Sequence, residues 1–286
     1  MPGAPIEEAA SASLVLFLAV IQGLSEFLPI SSSGHLVLAQ VALDVRGAGL
    51  ALDVALHVGT LLAVLVVYRA DVLELALRTL RGDLGPLAWL VVATLPAATL
   101  GFLIKDRIEG AFHTPFVAGV GLLFTAAALL LAERARRRAC AAADAHDDGD
   151  PAPVGPASAA LEFPSLAVAL AIGLAQMLAL APGVSRAGMT IAAGLLLGLP
   201  GVRAARLSFL MSIPAVTGAA LVALPEAASQ GLAGISTGLL LAAIGLAALV
   251  GWGALRILLI TLGRGAFRWF AAYCALLGTA ALVFLE

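Results

Sequence analysis

Charged residues are scarce in this sequence, making up 12% of its 286 residues, whereas 62% are hydrophobic. The mean hydropathy is +1.06. So few polar groups cannot cover a water-facing surface, which excludes a soluble globular protein and indicates that the lipid bilayer is the solvent. Cysteine is also rare: Cys140 in a polar segment and Cys274 in an apolar one lack metal-ligand spacing.

An excess of basic residues is also missing, because the formal net charge is -2 at pH 7. This balance excludes nucleic acid as a partner. Near the N-terminus, Glu7 and Glu8 stand where a secretory signal would carry Lys or Arg. We therefore expect the mature protein to start at residue 1.

Long apolar runs predict an all-α integral membrane protein, since about 20 apolar residues are needed for a helix to cross the bilayer. Six such runs predict spanning helices at 51–68, 86–104, 115–132, 206–224, 236–258 and 267–285. Two further apolar regions, at 12–43 and 165–199, are interrupted by FLPISSSGH and ALAPGVSRAG. We interpret each as a re-entrant hairpin whose broken backbone lines a cavity, because unpaired backbone groups cannot face lipid.

The polar, Pro- and Gly-rich segment 133–164 predicts a cytoplasmic linker between two repeats, 1–132 and 165–286, within one membrane domain. A shift of 154 residues places Gln22 on Gln176 and Gly34 on Gly188. The alternative is chance matching of small apolar residues. One hairpin plus three spanning helices in each half gives an odd number of crossings, which predicts an inverted-topology repeat.

Basic residues predict the orientation. With the N-terminus outside, the inner connections carry twelve basic residues and the outer ones three. This positive-inside bias predicts a multi-pass protein with both termini outside. The two hairpins should then enter from opposite faces and meet near mid-membrane.

Ionisable residues at the two breaks are candidate functional groups, because unpaired charges are costly at this depth. Opposed hairpins would bring Glu26 and His35 against Arg186, whose planar donors suit phosphate. A purely structural Glu26–Arg186 ion pair is the alternative. The backbone N–H groups of GVSRAG, at the start of a helix near Ser185, would add an anion-binding cradle. The predicted phosphate-binding residues are Ser31, Ser33, Gly183, Ser185, Arg186 and Thr190.

A carboxylate beside phosphate requires a cation between them, so Glu26 and Gln22 are predicted ligands of a divalent ion. Ser32 is the candidate nucleophile and His35 the candidate general acid/base. Whether Ser32, His35 or a water attacks stays open. Asp53 and His57, four residues apart on one helix face, are weaker candidates for the surroundings of the site.

Two segments, QGLSEFLPISSSGH and PGVSRAGMT, resemble in order and spacing the signature segments of the bacterial undecaprenyl-pyrophosphate phosphatases, a family also known for bacitracin resistance. The resemblance covers nearly the whole chain. It implies hydrolysis of undecaprenyl pyrophosphate to the monophosphate carrier lipid of cell-wall synthesis, with Mg²⁺ or Ca²⁺, in the bacterial inner membrane. We expect the site to be reached mainly from the outer face. The resemblance also implies catalytic roles for Glu26, Ser32 and His35, and phosphate binding by Ser185, Arg186 and Thr190.

Three positions differ from the family pattern. Gln22 stands where many members have Glu, Ser33 where many have Thr, and Ala187 where many have Ser. The functional alternative, a polyprenyl-phosphate flippase or transporter, rests on the inverted repeat with broken helices. A channel is disfavoured, since polar residues do not recur along any spanning run. Small residues on several helices would allow a homodimer or packing within one chain.

Overall fold

The structure, a computed structural model, describes residues 11–43, 49–104, 110–111, 114–144, 161–230, 235–262, 265 and 267–285. Within those ranges the described side chains leave out residues 49–51, 139–144 and 224–230. The described part of the chain contains eleven α-helices and no strand. The helices are α1 Ala12–Phe27, α2 Ser32–Ala42, α3 Gly49–Val67, α4 Arg69–Leu80, α5 Gly85–Leu103, α6 Pro115–Asp144, α7 Leu166–Leu178, α8 Arg186–Leu196, α9 Gly201–Gln230, α10 Thr237–Thr261 and α11 Phe267–Phe284.

Five of these helices, α5, α6, α9, α10 and α11, are long and apolar enough to cross a membrane. The all-α membrane class predicted from composition is confirmed. The helix α3 has 19 residues in its backbone, but its described side chains cover only the apolar stretch Leu52–Val67. The shorter apolar helices α1, α7 and α8 lie within the two regions predicted to be interrupted.

Both predicted interruptions are present as breaks between short helices. The helix α1 ends at Phe27, where Leu28 becomes extended ahead of Pro29, since a residue that precedes proline is disfavoured in the helical region. After α7, residues 179–184 form turns that contain Pro182 and Gly183. Each following helix has a serine N-cap: Ser31 accepts from the Gly34 N–H, and Ser185 from the Gly188 N–H.

Helix α4 was not predicted, because residues 69–80 were interpreted only as a basic connection. It is amphipathic and polar on average, so it gives no apolar signal of its own. It is anchored by a buried ion pair between Asp71 and Arg206 of α9. This contact connects α4, which directly follows α3, to the start of α9, the first long helix of the second half.

Helix α6 continues to Asp144, twelve residues into the segment that was interpreted as a linker from residue 133. The cause is local, since the run ERARRRACAAAD is rich in Ala, Arg and Glu, which are strong helix formers. Glu133 pairs with Arg136 and Arg137 at helical spacing. Residues 145–160 lie outside the described part.

Glycines let the helices around the first break approach closely. A Cβ on Gly59 of α3 would lie 2.5 Å from the Ile244 carbonyl oxygen of α10, and one on Gly23 of α1 would lie 2.9 Å from the Ala247 carbonyl oxygen. Such small residues allow dense helix packing in lipid, where burial from water provides little driving force between helices. Phe27, at the end of α1, packs edge-on against Phe209 of α9, with 5.7 Å between ring centroids.

Candidate active site

The two breaks touch one another in the interior of the protein. A Cβ on Gly34, in the first turn of α2, would lie 2.9 Å from the Cα of Gly183, and one on Gly188 would lie 3.5 Å from the Pro29 side chain. Helix α6 supports the second break. The hydroxyl of Thr125, a buried residue, donates to the Gly183 carbonyl and accepts from the Ser185 N–H, each at 2.9 Å.

Glu26 lies at the centre of this contact. Its Oε1 accepts from Arg186 Nη2 at 2.7 Å, and its Oε2 accepts from Ser32 Oγ at 2.6 Å and from Gln22 Nε2 at 3.1 Å. The Glu26 side chain is 7% exposed and that of Arg186 17% exposed. A buried carboxylate requires such partners, because desolvation of an unpaired charge is costly. The structure therefore brings four of the predicted site residues together.

Arg186 and Thr190, one turn apart on α8, are held against α9. The Thr190 hydroxyl lies 2.6 Å from that of Ser208, and it donates to the Arg186 carbonyl at 2.8 Å. Arg186 Nη1 reaches the Ser208 carbonyl at 3.4 Å. The described contacts of Thr190 are therefore internal ones that fix the helix bearing the guanidinium.

The predicted serines occupy the start of the two short helices. Ser31 and Ser185 are N-caps, and Ser33 Oγ lies 3.2 Å from Ser31 Oγ. Ser31 has φ of +70°, a conformation that side-chain-bearing residues rarely adopt and that is strained. Gly183, with φ of +85°, meets the same demand without a side chain, and a Cβ there would lie 2.1 Å from the Ala118 carbonyl oxygen.

His35 differs from the expectation that it would lie against Arg186. Its Nδ1 lies 2.7 Å from the carbonyl oxygen of Ser31, and its Nε2 lies 2.7 Å from the hydroxyl of Tyr273 on α11, against which the ring also stacks. Helical spacing alone does not turn His35 away, since residues 32 and 35 are one turn apart and Ser32 faces Glu26. The reason is the partner that α11 supplies, the Tyr273 hydroxyl. These described contacts turn His35 toward α11.

His57 of α3 is the histidine beside the carboxylate, with 3.7 Å between its Nε2 and Glu26 Oε2. Its Nδ1 lies 2.7 Å from the Asp53 carbonyl oxygen, which orients the ring. Its side chain is 31% exposed, so the ring also reaches the surface of the site. The spacing of Asp53 and His57 was the only sequence signal for this contact. It made them weaker candidates than the residues of the two breaks.

One buried atom fits the predicted metal site. Gln22 Oε1 has no hydrogen-bond partner among the described residues, although Gln22 is fully buried one turn before Glu26. An amide oxygen beside a carboxylate matches the oxygen ligands that Mg²⁺ and Ca²⁺ prefer. The described residues contain no cluster of three or more His, Cys, Asp or Glu side chains. Substrate phosphate oxygens and water would therefore complete the coordination.

These features define an integral membrane protein in which two broken helical segments hold a carboxylate, a hydroxyl and a guanidinium within hydrogen-bonding distance. Residues 15–280 match the family model described as bacitracin resistance protein BacA. The chain belongs to this family, and the resemblance seen in the two motifs is confirmed.

Relatives share this similarity over nearly their whole length. The chain is 42% identical over 272 residues to an undecaprenyl-diphosphatase of Rubrobacter xylanophilus, covering 90% of this chain and 92% of that protein. It is 40% identical to one of Desulfosudis oleivorans, covering 91% and 94%. It is 38% identical to one of Moorella thermoacetica, covering 92% and 93%.

Proposed function

We propose that this protein hydrolyses undecaprenyl pyrophosphate to undecaprenyl phosphate and inorganic phosphate, and thereby recycles the carrier lipid of cell-wall synthesis. The relatives named undecaprenyl-diphosphatase support this substrate. The observation that carries the chemistry is the cluster in which Glu26 accepts from both Ser32 and Arg186. It places a group that can attack, a group that can take its proton and a phosphate-binding cation at one point.

The first step uses the Ser32 hydroxyl. Its oxygen attacks the terminal phosphorus, its proton passes to Glu26 Oε2, and the bond between that phosphorus and the bridging oxygen breaks. Undecaprenyl phosphate leaves, and water then releases inorganic phosphate from Ser32. Direct attack by water, with Glu26 accepting its proton, is the alternative and would leave no phosphoserine.

Arg186 and the start of α8 offset the negative charge of the reacting phosphate. The guanidinium can bind two phosphate oxygens, and the N-terminus of α8 carries a partial positive charge. Glu26 and Gln22 would hold the divalent cation, Mg²⁺ or Ca²⁺. When bound, this ion supplies further charge neutralisation at the pyrophosphate.

The two histidines are alternative proton carriers. His57 lies beside Glu26 and is placed to receive the proton that the carboxylate takes up. His35 and Tyr273 form a hydrogen-bonded pair between α2 and α11, and we propose that this pair contacts the departing phosphate or the lipid. Separate variants of the two histidines distinguish these roles.

We also propose that the two halves form an inverted repeat, each with a re-entrant hairpin. Equivalent helix contacts support it: α1 packs on α10 as α7 packs on α5, and α3 packs on α10 as α9 packs on α5. The positive-inside bias then places both termini outside. Arg256 over Trp252 and Arg268 over Trp269, on exposed indoles, match anchors at the inner membrane–water boundary.

The test is phosphate release from undecaprenyl pyrophosphate by the purified protein, with Mg²⁺ and with a chelator. Wild-type protein is expected to release phosphate only with the metal, and Glu26→Gln to release little. The same preparations in proteoliposomes test transport. Movement of lipid without phosphate release would contradict the proposal and favour a flippase.

A further inference from the structure

A cavity lies at the other end of α7 from the second break. Its volume is about 650 Å³, and it lies between the α4–α5 turn, the residues before α7 and the first turn of α9. Helix α7 runs from Ser165 at this cavity to Ala179 at the break. At about 1.5 Å per residue, roughly 20 Å separates the two ends, so this cavity is distinct from the candidate active site.

Two buried donors in the cavity wall have no acceptor among the residues that the structure describes. Trp89 lines the cavity and is 1% exposed, yet its Nε1 has no hydrogen-bond partner within the described ranges. The Nε of Arg203, another residue of the lining, is likewise buried without a partner in those ranges. Buried donors are normally paired, and leaving them unpaired is unfavourable. Both unmatched groups require an acceptor.

Two helices also begin at this cavity. The N-cap of α5, Leu84, cannot accept a hydrogen bond through its side chain, and the N-cap of α7, Ser165, makes no side-chain capping bond. The N–H groups at the start of a helix lack intrahelical partners and carry a partial positive charge. At α5 the Gly85 N–H already donates to Asp83 Oδ1 at 3.2 Å, and Pro86 has no N–H. The donors therefore come from the start of α7, while both helix ends add positive potential to the same space.

The full charges in the wall are already balanced. Arg78 pairs with Asp83 at 2.8 Å and donates to the Leu161 carbonyl, and Arg203 lies 3.4 Å from Glu162. The hydrogen bond from Arg78 holds the pKa of Asp83 below its usual range, so this pair stays ionised near neutral pH. These ion pairs hold the wall together, and the groups left unmatched are donors.

We infer that this cavity binds a phosphate group, either free or on a lipid headgroup, with Trp89, Arg203 and the start of α7 as its donors. Phosphate oxygens only accept hydrogen bonds, and they suit both guanidinium groups and helix N-termini. The ligand is bound here and not cleaved, because the cavity wall has no hydroxyl paired with a carboxylate among its described contacts. The inference does not depend on the proposed hydrolysis.

The test uses Trp89 as a local fluorescent reporter in the full-length chain. Trp252→Phe and Trp269→Phe together leave Trp89 as the only one of the three tryptophans. Titrations are made with inorganic phosphate in detergent, and with nanodiscs of phosphatidylcholine with or without phosphatidic acid. A saturable change with phosphate indicates a free ligand, and one with phosphatidic acid alone indicates a headgroup. Either result supports the site.

Two variants in this reporter background locate the binding. Arg203→Gln is expected to weaken the affinity by about tenfold or more. Ser165→Asp places a carboxylate at the start of α7, so it should cap the helix and preserve the fold while repelling phosphate. Arg186→Ala should leave the titration unchanged. The inference is overturned by the absence of a saturable response to either probe, or by equal affinity in wild type and Ser165→Asp.

Discussion

Glu26 Oε1 and Arg186 Nη2 lie 2.7 Å apart, although 160 positions separate these residues in the chain. The pair joins the first break to the second and also presents the guanidinium to the space where we propose the pyrophosphate binds. Under this proposal its members have two functions, one structural and one chemical. Variants that change charge without changing size can separate them.

Glu26→Gln keeps the size and the hydrogen bond to Ser32 but removes the base and the charge that holds Arg186. We expect phosphate release to fall by about 10²–10³-fold, the usual effect of losing one acid–base or charge-stabilising group. The measurement is inorganic phosphate released from undecaprenyl pyrophosphate with Mg²⁺ present.

The matched control is Glu74→Gln on α4, whose carboxylate is 39% exposed and 3.8 Å from Arg78. An exposed ion pair of this kind contributes little to the stability of the fold, so near-wild-type activity is expected. Adding Arg186→Gln to Glu26→Gln should lower activity less than the product of the single effects, because both residues act at one point. Wild-type turnover by Glu26→Gln would rule out the proposed site.

His57→Gln is expected to lower the rate by about 10–10²-fold, because it removes the ring beside Glu26. Tyr273→Phe removes only the hydroxyl that holds His35 and should give a smaller reduction in kcat. The pH profile of kcat/KM shows which histidine carries the proton, since loss of a titrating proton carrier removes one limb of the profile. If His35→Gln removes that limb and His57→Gln does not, His35 is the proton carrier and the assignment to His57 is wrong.

Gly121→Ala is expected to prevent correct assembly of the second break. The new Cβ would lie 2.1 Å from the Pro182 carbonyl oxygen, closer than any real contact of this kind. Because backbone atoms cannot move aside without disturbing the helices, we expect the free energy of unfolding to fall by more than about 2 kcal/mol. The measurements are thermal unfolding in detergent and phosphate release.

Gly245→Ala on α10 is the matched control, since nothing lies within 4 Å of the position that its new methyl group would occupy. Alanine is the better helix former by about 1 kcal/mol, so this variant should be at least as stable as wild type. Equal stability of the two variants would show that α6 and the second break do not pack as closely as described.

Gln22→Glu adds a second carboxylate one turn from Glu26. We expect tighter Mg²⁺ binding, with half-maximal activation at a metal concentration lower by about tenfold. Gln22→Leu should have the opposite effect, because it removes the unpaired buried Oε1 without leaving a polar atom. An identical metal dependence in all three proteins would exclude Gln22 from the metal site.

Asp71→Asn tests the anchor of α4. The variant breaks the buried ion pair between Asp71 and Arg206, and breaking such a pair typically costs about 3–5 kcal/mol. We expect a lower unfolding midpoint with little change in KM, since Asp71 and Arg206 are not placed in the active site. Asp71→Asn combined with Arg206→Met should recover most of the loss, and failure to recover would show that another contact of α4 is responsible.

Much of the site was predictable from sequence because polar residues inside apolar runs are conspicuous. Glu26, Ser32 and Arg186 stand out at the two interruptions, and the start of α8 follows from the serine that precedes it. The orientation of His35 was not predictable, because helical spacing fixes which face a residue occupies but not which neighbouring helix covers that face. The same limit applies to His57, whose partner lies on another helix.

The fold shows a similar division. Long apolar helices were evident from hydropathy, whereas α4 and the extension of α6 to Asp144 lack an apolar run and depend on helix propensity and ion pairs. Thr125 was not predicted either, since a single threonine in an apolar helix usually bonds to its own backbone. Its bridge to Gly183 and Ser185 depends on the distance between α6 and the second break.

The left-handed backbone conformation of Ser31 requires a rigid surrounding structure. A residue held at φ +70° resists relaxation only while its surroundings fix it, and here the surroundings include Gly183 from the far half of the sequence, against the neighbouring Gly34. During synthesis, Glu26 and Ser31 are added to the chain before Gly183 and Arg186. The catalytic arrangement is therefore completed late in synthesis, so a chain that stops before the second break presents no working phosphatase to the cell.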